Sequence, residues 1–188
     1  DINSELGDNK RVNFPHYEIY NHLTPNSTLL INDGRIRLQV IEQYKDQLIT
    51  EVLNDGVISN NKGVNIPDVI LPIDSMTTKD RADLQKALDM NVDWVALSFV
   101  QQAEDIIKLK KIVDGKAMIM AKIEKPSAVK NIDEIIKVAD GIMIARGDLG
   151  VEMPTEKVPI VQKNIIKRCR YFGKPVVVAT QMLESMIY

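Results

Sequence analysis

Three charged side chains of this sequence could do chemistry together. Lys122 and Glu124 stand two apart in Ala121-Lys122-Ile123-Glu124, and Asp148 stands in Arg146-Gly147-Asp148-Leu149-Gly150. If Lys122 and Glu124 lie on a strand, their side chains leave the same face, because side-chain direction alternates along a strand. Ala121 and Ile123 would fill the opposite face. Asp148 follows the next apolar run. Adjacent strands run about 4.8 Å apart, and two carboxylates at that separation repel unless something positive lies between them. A hard cation such as Mg2+ or Mn2+ takes oxygen ligands and keeps sites open for water and substrate. Lys122 adds a mobile point charge suited to phosphate. The expectation is a divalent-metal and phosphate site, with a surface salt bridge at a strand end as the competing reading of Lys122 and Glu124.

Gly147 and Gly150 flank the Asp. They are either turn glycines or points of close backbone approach, with N–H groups aimed at an anion. Thr180 ends the following apolar run and is either a strand-closing β-branched residue or a hydroxyl for substrate or proton transfer. His16 and His22 lie amid Pro, Asn and Tyr and read as surface or turn residues. Cys169 reads as core, the methionines as packing, and Lys108, Lys110 and Lys111 as a solvated helix face with Lys110 at the core boundary.

The elements that must position these residues change character near residue 63. Before it, Leu29-Leu30-Ile31 runs into Asn32-Asp33-Gly34 and then Arg35 to Val40, with Asp-Gly between two β-type runs as a strong hairpin signal. A further strand, Gln47 to Leu53, ends at Asn54-Asp55-Gly56. Residues 1–62 therefore read as a small antiparallel β domain. Residues 60–67 are turn-rich and read as a linker.

After it, helices and strands alternate. Thr77 can cap a helix through Asp80, with Leu84, Ala87 and Leu88 buried. Helices are also expected from about Ala103, from about Ser127, and through Val158, Val161, Ile165, Cys169 and Phe172. Apolar strands begin near 92, 117, 141 and 175, the first three 24 or 25 residues apart, which is one βα unit per step. Strands apolar on both faces suit a parallel sheet covered by helices. Polar residues gather at the carboxyl end of every strand: Ser98, Lys122 with Glu124, Arg146 with Asp148, and Thr180 with Gln181. Barrel active sites occupy that face, whereas an open sheet concentrates polar groups at one switch point. The fold class expected for residues 63–188 is thus α/β, a partial (β/α)8 TIM-type barrel. Four strands are half a barrel, and a whole one needs about 250 residues.

Bulk properties narrow the function classes. The chain is 45% hydrophobic, with 24 Lys plus Arg against 26 Asp plus Glu, a net charge of −2. That balance gives no general attraction to nucleic acid or an anionic membrane, so any anion must be held locally. One cysteine excludes an intrachain disulfide and a Cys-rich zinc site and suits a reducing, cytoplasmic compartment. No apolar run approaches the roughly 18–20 residues of a membrane span. The sequence opens on Asp1 and stops at Tyr188 soon after an apolar strand, which reads as a piece of a longer protein.

Several stretches resemble pyruvate kinase, in that family's order and spacing and over essentially the whole chain. They are Asn32-Asp33-Gly34, Lys62-Gly63-Val64-Asn65-Ile66-Pro67, Ala121-Lys122-Ile123-Glu124, Asn131-Ile132-Asp133-Glu134-Ile135, Ala145-Arg146-Gly147-Asp148-Leu149-Gly150-Val151-Glu152 and Ala179-Thr180-Gln181-Met182-Leu183-Glu184-Ser185-Met186. The resemblance implies that residues 1–62 are most of a small antiparallel β-barrel lid, and that residues 63–188 are barrel strands four to seven. It implies a divalent metal, Mg2+ or Mn2+, on Glu124 and Asp148, and Lys122 on the phosphoryl group moving between phosphoenolpyruvate and ADP, giving pyruvate and ATP. It implies backbone N–H groups of Gly147 and Asp148 on the substrate carboxylate, Thr180 beside the substrate, and Lys62 near the nucleotide. The implied parent is a homotetramer. The K+ that the family uses would have its ligands on early strands absent from this chain, as would a phosphate-binding arginine. Lys125-Pro126 stands where many relatives have Asn, just outside the metal shell. Two other readings compete: the 188 residues alone are a non-catalytic fragment, or the chain belongs to a metal-dependent lyase barrel acting on pyruvate or phosphoenolpyruvate.

Overall fold

The structure is a computed structural model that describes residue 2 and residues 5–8, 10–67, 69 and 76–180. The chain divides into two compact units, Asp1–Ile73 and Asp74–Tyr188.

The first unit holds a short helix, α1 (Tyr17–Tyr20), and strands β1 (Thr28–Ile31), β2 (Ile36–Gln43), β3 (Leu48–Val52) and β4 (Val64–Asn65). All pairings are antiparallel, in the spatial order β3-β2-β1-β4. The hairpin between β1 and β2 turns through Asn32, Asp33 and Gly34, all with positive φ. Asn, Asp and Gly are the residues that tolerate this left-handed backbone. Alternation on β2 sends Ile36, Leu38 and Val40 into a core with Ile19, Leu23, Leu29, Ile31 and Ile66. The turn-rich stretch read as a linker thus contributes β4 and the buried Ile66 to this sheet.

The second unit alternates helix and strand: α2 (Thr78–Asp89), β5 (Trp94–Leu97), α3 (Ala103–Val113), β6 (Met118–Ile123), α4 (Pro126–Lys130), α5 (Ile132–Val138), β7 (Gly141–Ala145), α6 (Arg146–Glu152), a 3-10 turn (Thr155–Lys157), α7 (Val158–Tyr171) and β8 (Val176–Ala179). The four strands pair in parallel in sequential order, β5-β6-β7-β8. Thr77 caps α2 reciprocally: its Oγ1 accepts the Asp80 N–H at 3.1 Å, and its own N–H reaches Asp80 Oδ2 at 2.8 Å. Such a cap contributes about 0.5–2 kcal/mol. The helix expected from Ser127 is two, broken at Asn131, whose side chain donates to the Gln101 carbonyl at 3.0 Å.

The two faces of this sheet differ. Leu97, Ile119, Ala121, Ile123, Ile142 and Ile144 are buried in one core with Ile106, Leu109, Ile135, Ile136, Leu149 and Ile165 from the helices. On the opposite face Trp94, Met118 and Val177 are 37–46% exposed. Among the described residues the helices therefore cover one face, rather than both as in a doubly wound sheet. Two ion pairs brace the covered side. Arg168 on α7 grips Asp133 on α5, and Lys110 on α3 reaches Asp140 at 3.0 Å, although Lys110 itself is exposed rather than at the core boundary.

Candidate active site at the strand ends

Lys122 lies on β6, with Ala121 and Ile123 fully buried on the opposite, helix-covered face. Glu124 follows immediately, and the alternation carries its side chain to the Lys122 face. The Lys122 ammonium contacts Glu124 Oε1 at 2.6 Å, with the lysine side chain 25% exposed and the glutamate 1%. This buried contact departs from the solvated surface salt bridge considered as an alternative, because Glu124 has almost no water. β5 supplies the other partners. In the parallel register Leu97 pairs with Ala121, so Ser98 follows beside Lys122. Ser98 Oγ accepts a hydrogen bond from Lys122 Nζ at 2.8 Å. The next backbone N–H, that of Phe99, donates to Glu124 Oε2 at 2.7 Å.

Asp148 stands in the first turn of α6, which opens directly after β7, the strand paired to β6. Its side chain is exposed. Gly147 and Asp148 occupy the second and third positions of that helix, where backbone N–H groups have no intrahelical acceptor. Neither Gly147 nor Gly150 has a positive φ, so neither is held there by turn geometry. A Cβ built on Gly150 would approach Thr155 Cγ2 at 3.6 Å, an ordinary contact.

Strain is concentrated at the same end of the sheet. Among the described residues, positive φ outside glycine falls on Asn or Asp with two exceptions, Phe99 at 55° and Thr180 at 59°. Phe99 follows the end of β5 and Thr180 the end of β8. For a β-branched or bulky residue this conformation is a genuine outlier, and such strain gathers at functional sites.

The donor chemistry suits a hard cation held partly by protein. Glu124 and Asp148 offer carboxylate oxygens, and no cluster of three or more His, Cys, Asp or Glu able to cage a metal occurs among the described residues. Mg2+ is commonly bound by one or two carboxylates plus substrate oxygens and water. Charge repulsion alone does not demand the ion, however: Lys122 already neutralises Glu124, and Asp148 faces solvent. Beside this site, a cleft of about 340 Å³ opens between α6 and the start of α7, lined by Arg146, Gly147, Gly150, Val151, Thr155, Val158 and Pro159. Lys122 and Glu124 do not line it.

A model of the family described as pyruvate kinase, barrel domain, matches residues 2–188. The chain belongs to the pyruvate kinase family. A pyruvate kinase of Methylorubrum extorquens is 55% identical over 96% of this chain. One of Clostridium perfringens is 47% identical over 97%. The crystal structure of a pyruvate kinase from Cryptosporidium parvum superposes with a TM-score of 0.85, at 41% identity, over 91% of this chain and 37% of its own. The chain spans 38% and 39% of the two bacterial relatives' lengths, less than two fifths of either pyruvate kinase.

The structure brings Lys122 and Glu124 into contact and puts Asp148 on the element after the neighbouring strand. Thr180 lies at the end of β8, and its neighbour Gln181 falls outside the described residues, with the rest of the 181–186 motif. Lys62 is exposed in the first unit, just before β4. His16 and His22 are exposed and Cys169 is buried. Sequence reasoning placed Ser98 in the polar ring at the strand ends but did not foresee its hydrogen bond with Lys122, and it gave no role to Phe99. It also missed a buried ion pair, Lys125 Nζ to Glu152 Oε1 at 3.2 Å, which joins the residue after Glu124 to the last residue of α6.

Proposed function

We propose that this chain carries the metal and phosphoryl half of a pyruvate kinase active site. The reaction moves a phosphoryl group from phosphoenolpyruvate to ADP, giving pyruvate and ATP at the last step of glycolysis. The observation that carries this reading is the state of Lys122. Its ammonium has three N–H donors; Ser98 and Glu124 take two, and the third is left for a phosphoryl oxygen. Phosphoryl transfer is mostly positioning plus charge stabilisation, and a cation fixed on two sides suits both.

In this reading Glu124 and Asp148 hold Mg2+ or Mn2+, which when bound neutralises charge on the phosphoryl oxygens. Glu124 comes to that role ordered by the Phe99 N–H. The Gly147 and Asp148 N–H groups receive the substrate carboxylate, and the Thr180 hydroxyl stands beside the substrate. Lys62 approaches the nucleotide from the lid, read from the sequence as residues 1–62, while β5 to β8 of the second unit form barrel strands four to seven. The one-sided cover of the parallel sheet supports this, because a βα barrel keeps its helices outside and fills its inner face with strand side chains.

Lys122→Ala in the full-length protein should abolish most turnover in a lactate-dehydrogenase-coupled assay; unchanged turnover would exclude Lys122 from the chemistry. The exposed Trp94, Met118 and Val177 favour a second statement about the 188 residues alone: with the inner face unfilled, they bind metal weakly and do not turn over. Robust pyruvate formation by the isolated chain would refute it, and activity without ADP would favour a lyase.

A further inference from the structure

We propose that the Ser98-Phe99 step at the end of β5 is a positioning element for this site, with Ser98 as the residue that aims Lys122. The proposal rests on the reading of Lys122 as the phosphoryl-binding cation. Lysine is a point charge on a flexible four-carbon stem. Glu124 Oε1 alone, at 2.6 Å, would let the ammonium pivot about one contact. The Ser98 hydroxyl at 2.8 Å is the second fixed point, and two fixed N–H directions determine the third. Parallel pairing places it there: the Leu97–Ala121 pair puts Ser98 and Lys122 side by side on the face that helices do not cover.

The other half of the step acts on Glu124. Phe99 has φ 55° and donates its N–H to Glu124 Oε2 at 2.7 Å. Each glutamate oxygen then carries one hydrogen-bond or ionic contact and keeps a lone pair for a cation. One dipeptide thus orients both the cation and the buried carboxylate. A phenylalanine held in a left-handed conformation beside two such contacts is the pattern expected where strain serves a site.

The test uses Ser98→Ala and Ser98→Thr in the full-length protein, with Lys122→Ala alongside. Ser98→Ala should lower kcat about tenfold, less than the roughly 100-fold that a 1 Å misplacement can cost because Glu124 still holds the ammonium, with little change in KM for either substrate, because the loss falls on the transition state. Its Mn2+ affinity, read by electron paramagnetic resonance, should stay within about twofold of wild type because the Phe99 N–H still holds Glu124. Ser98→Thr, which keeps the hydroxyl, should restore most of kcat. Thermal unfolding midpoints of both variants should match wild type. The proposal is overturned if Ser98→Ala retains full turnover, if Ser98→Thr is as impaired as Ser98→Ala, or if the loss follows a fall in unfolding temperature. Lys122→Ala separates two failures. If it remains active, the reading of Lys122 falls and the proposal with it. If it is inactive while Ser98→Ala is fully active, the proposal alone falls.

Discussion

Replacing Lys125 by Met should be among the most destabilising single changes in the second unit. Lys125 Nζ meets Glu152 Oε1 at 3.2 Å, with the two side chains 9% and 1% exposed. At an effective dielectric of about 20, opposite charges at that distance attract by about 5 kcal/mol. Removing two ions from water costs several kcal/mol each, so the pair gives little net stability relative to apolar residues. Breaking it differs, because Lys125→Met takes a cation from a buried carboxylate and puts nothing charged in its place. The expected loss is about 3–5 kcal/mol, a large part of the 5–15 kcal/mol typical of a domain. The double variant Lys125→Met with Glu152→Leu removes both charges and should recover most of that loss. Urea unfolding of the chain followed by fluorescence of its single tryptophan, Trp94 on β5, reports this unit directly. A Lys125→Met variant within about 1 kcal/mol of wild type, or a double variant no better than the single, would refute the reasoning.

Three smaller predictions accompany it. The Cys169 thiol is pushed up to about 11 by burial, so at pH 8 it should resist a thiol reagent until the chain unfolds; rapid native labelling would contradict its packing. Burial of Asp140 opposes ionisation, but the Ile119 N–H and Lys110 ammonium outweigh it and hold the carboxyl below its ordinary value of 3.8. Its stabilising contribution is therefore complete above that value and lost as pH falls through the lower folded one. Asp140→Asn should be less stable than wild type at pH 7 and lose less on acidification below pH 4, which denaturant titrations across pH would test. Gly150→Ala fits the space beside Thr155 and sits within α6, so it should raise stability by about 0.5–1 kcal/mol; lost turnover in a stable Gly150→Ala protein would mark close ligand approach there.

Much of the fold was legible because it follows from local rules. Asn32-Asp33-Gly34 can adopt positive φ, Thr77 with Asp80 spells a reciprocal cap, and the apolar runs at βα spacing form the parallel strands. Other features depend on what the chain meets elsewhere. α6 contains two glycines in seven residues and has little intrinsic propensity, so it reads as a turn until β7 and α7 hold it. Val64 and Ile66 look like linker until β1 offers an edge. In the site, the shared face of Lys122 and Glu124 follows from strand alternation. Their direct contact, and the way Phe99 turns its N–H onto Glu124, depend on a register between strands 24 residues apart and on a backbone conformation that phenylalanine disfavours. Lys125 and Glu152 are 27 positions apart, and neither looks buried by type.

The central claim is that Glu124 and Asp148 share a divalent ion while Lys122 faces the group bound to it. A crystal structure of the full-length protein with Mn2+ and oxalate tests it most directly. Such a crystal should show one Mn2+ ligated by both carboxylates and by oxalate, with Lys122 Nζ within hydrogen-bond distance of the oxalate and still on Ser98. An ion bound elsewhere, or ligated by neither carboxylate, would contradict it.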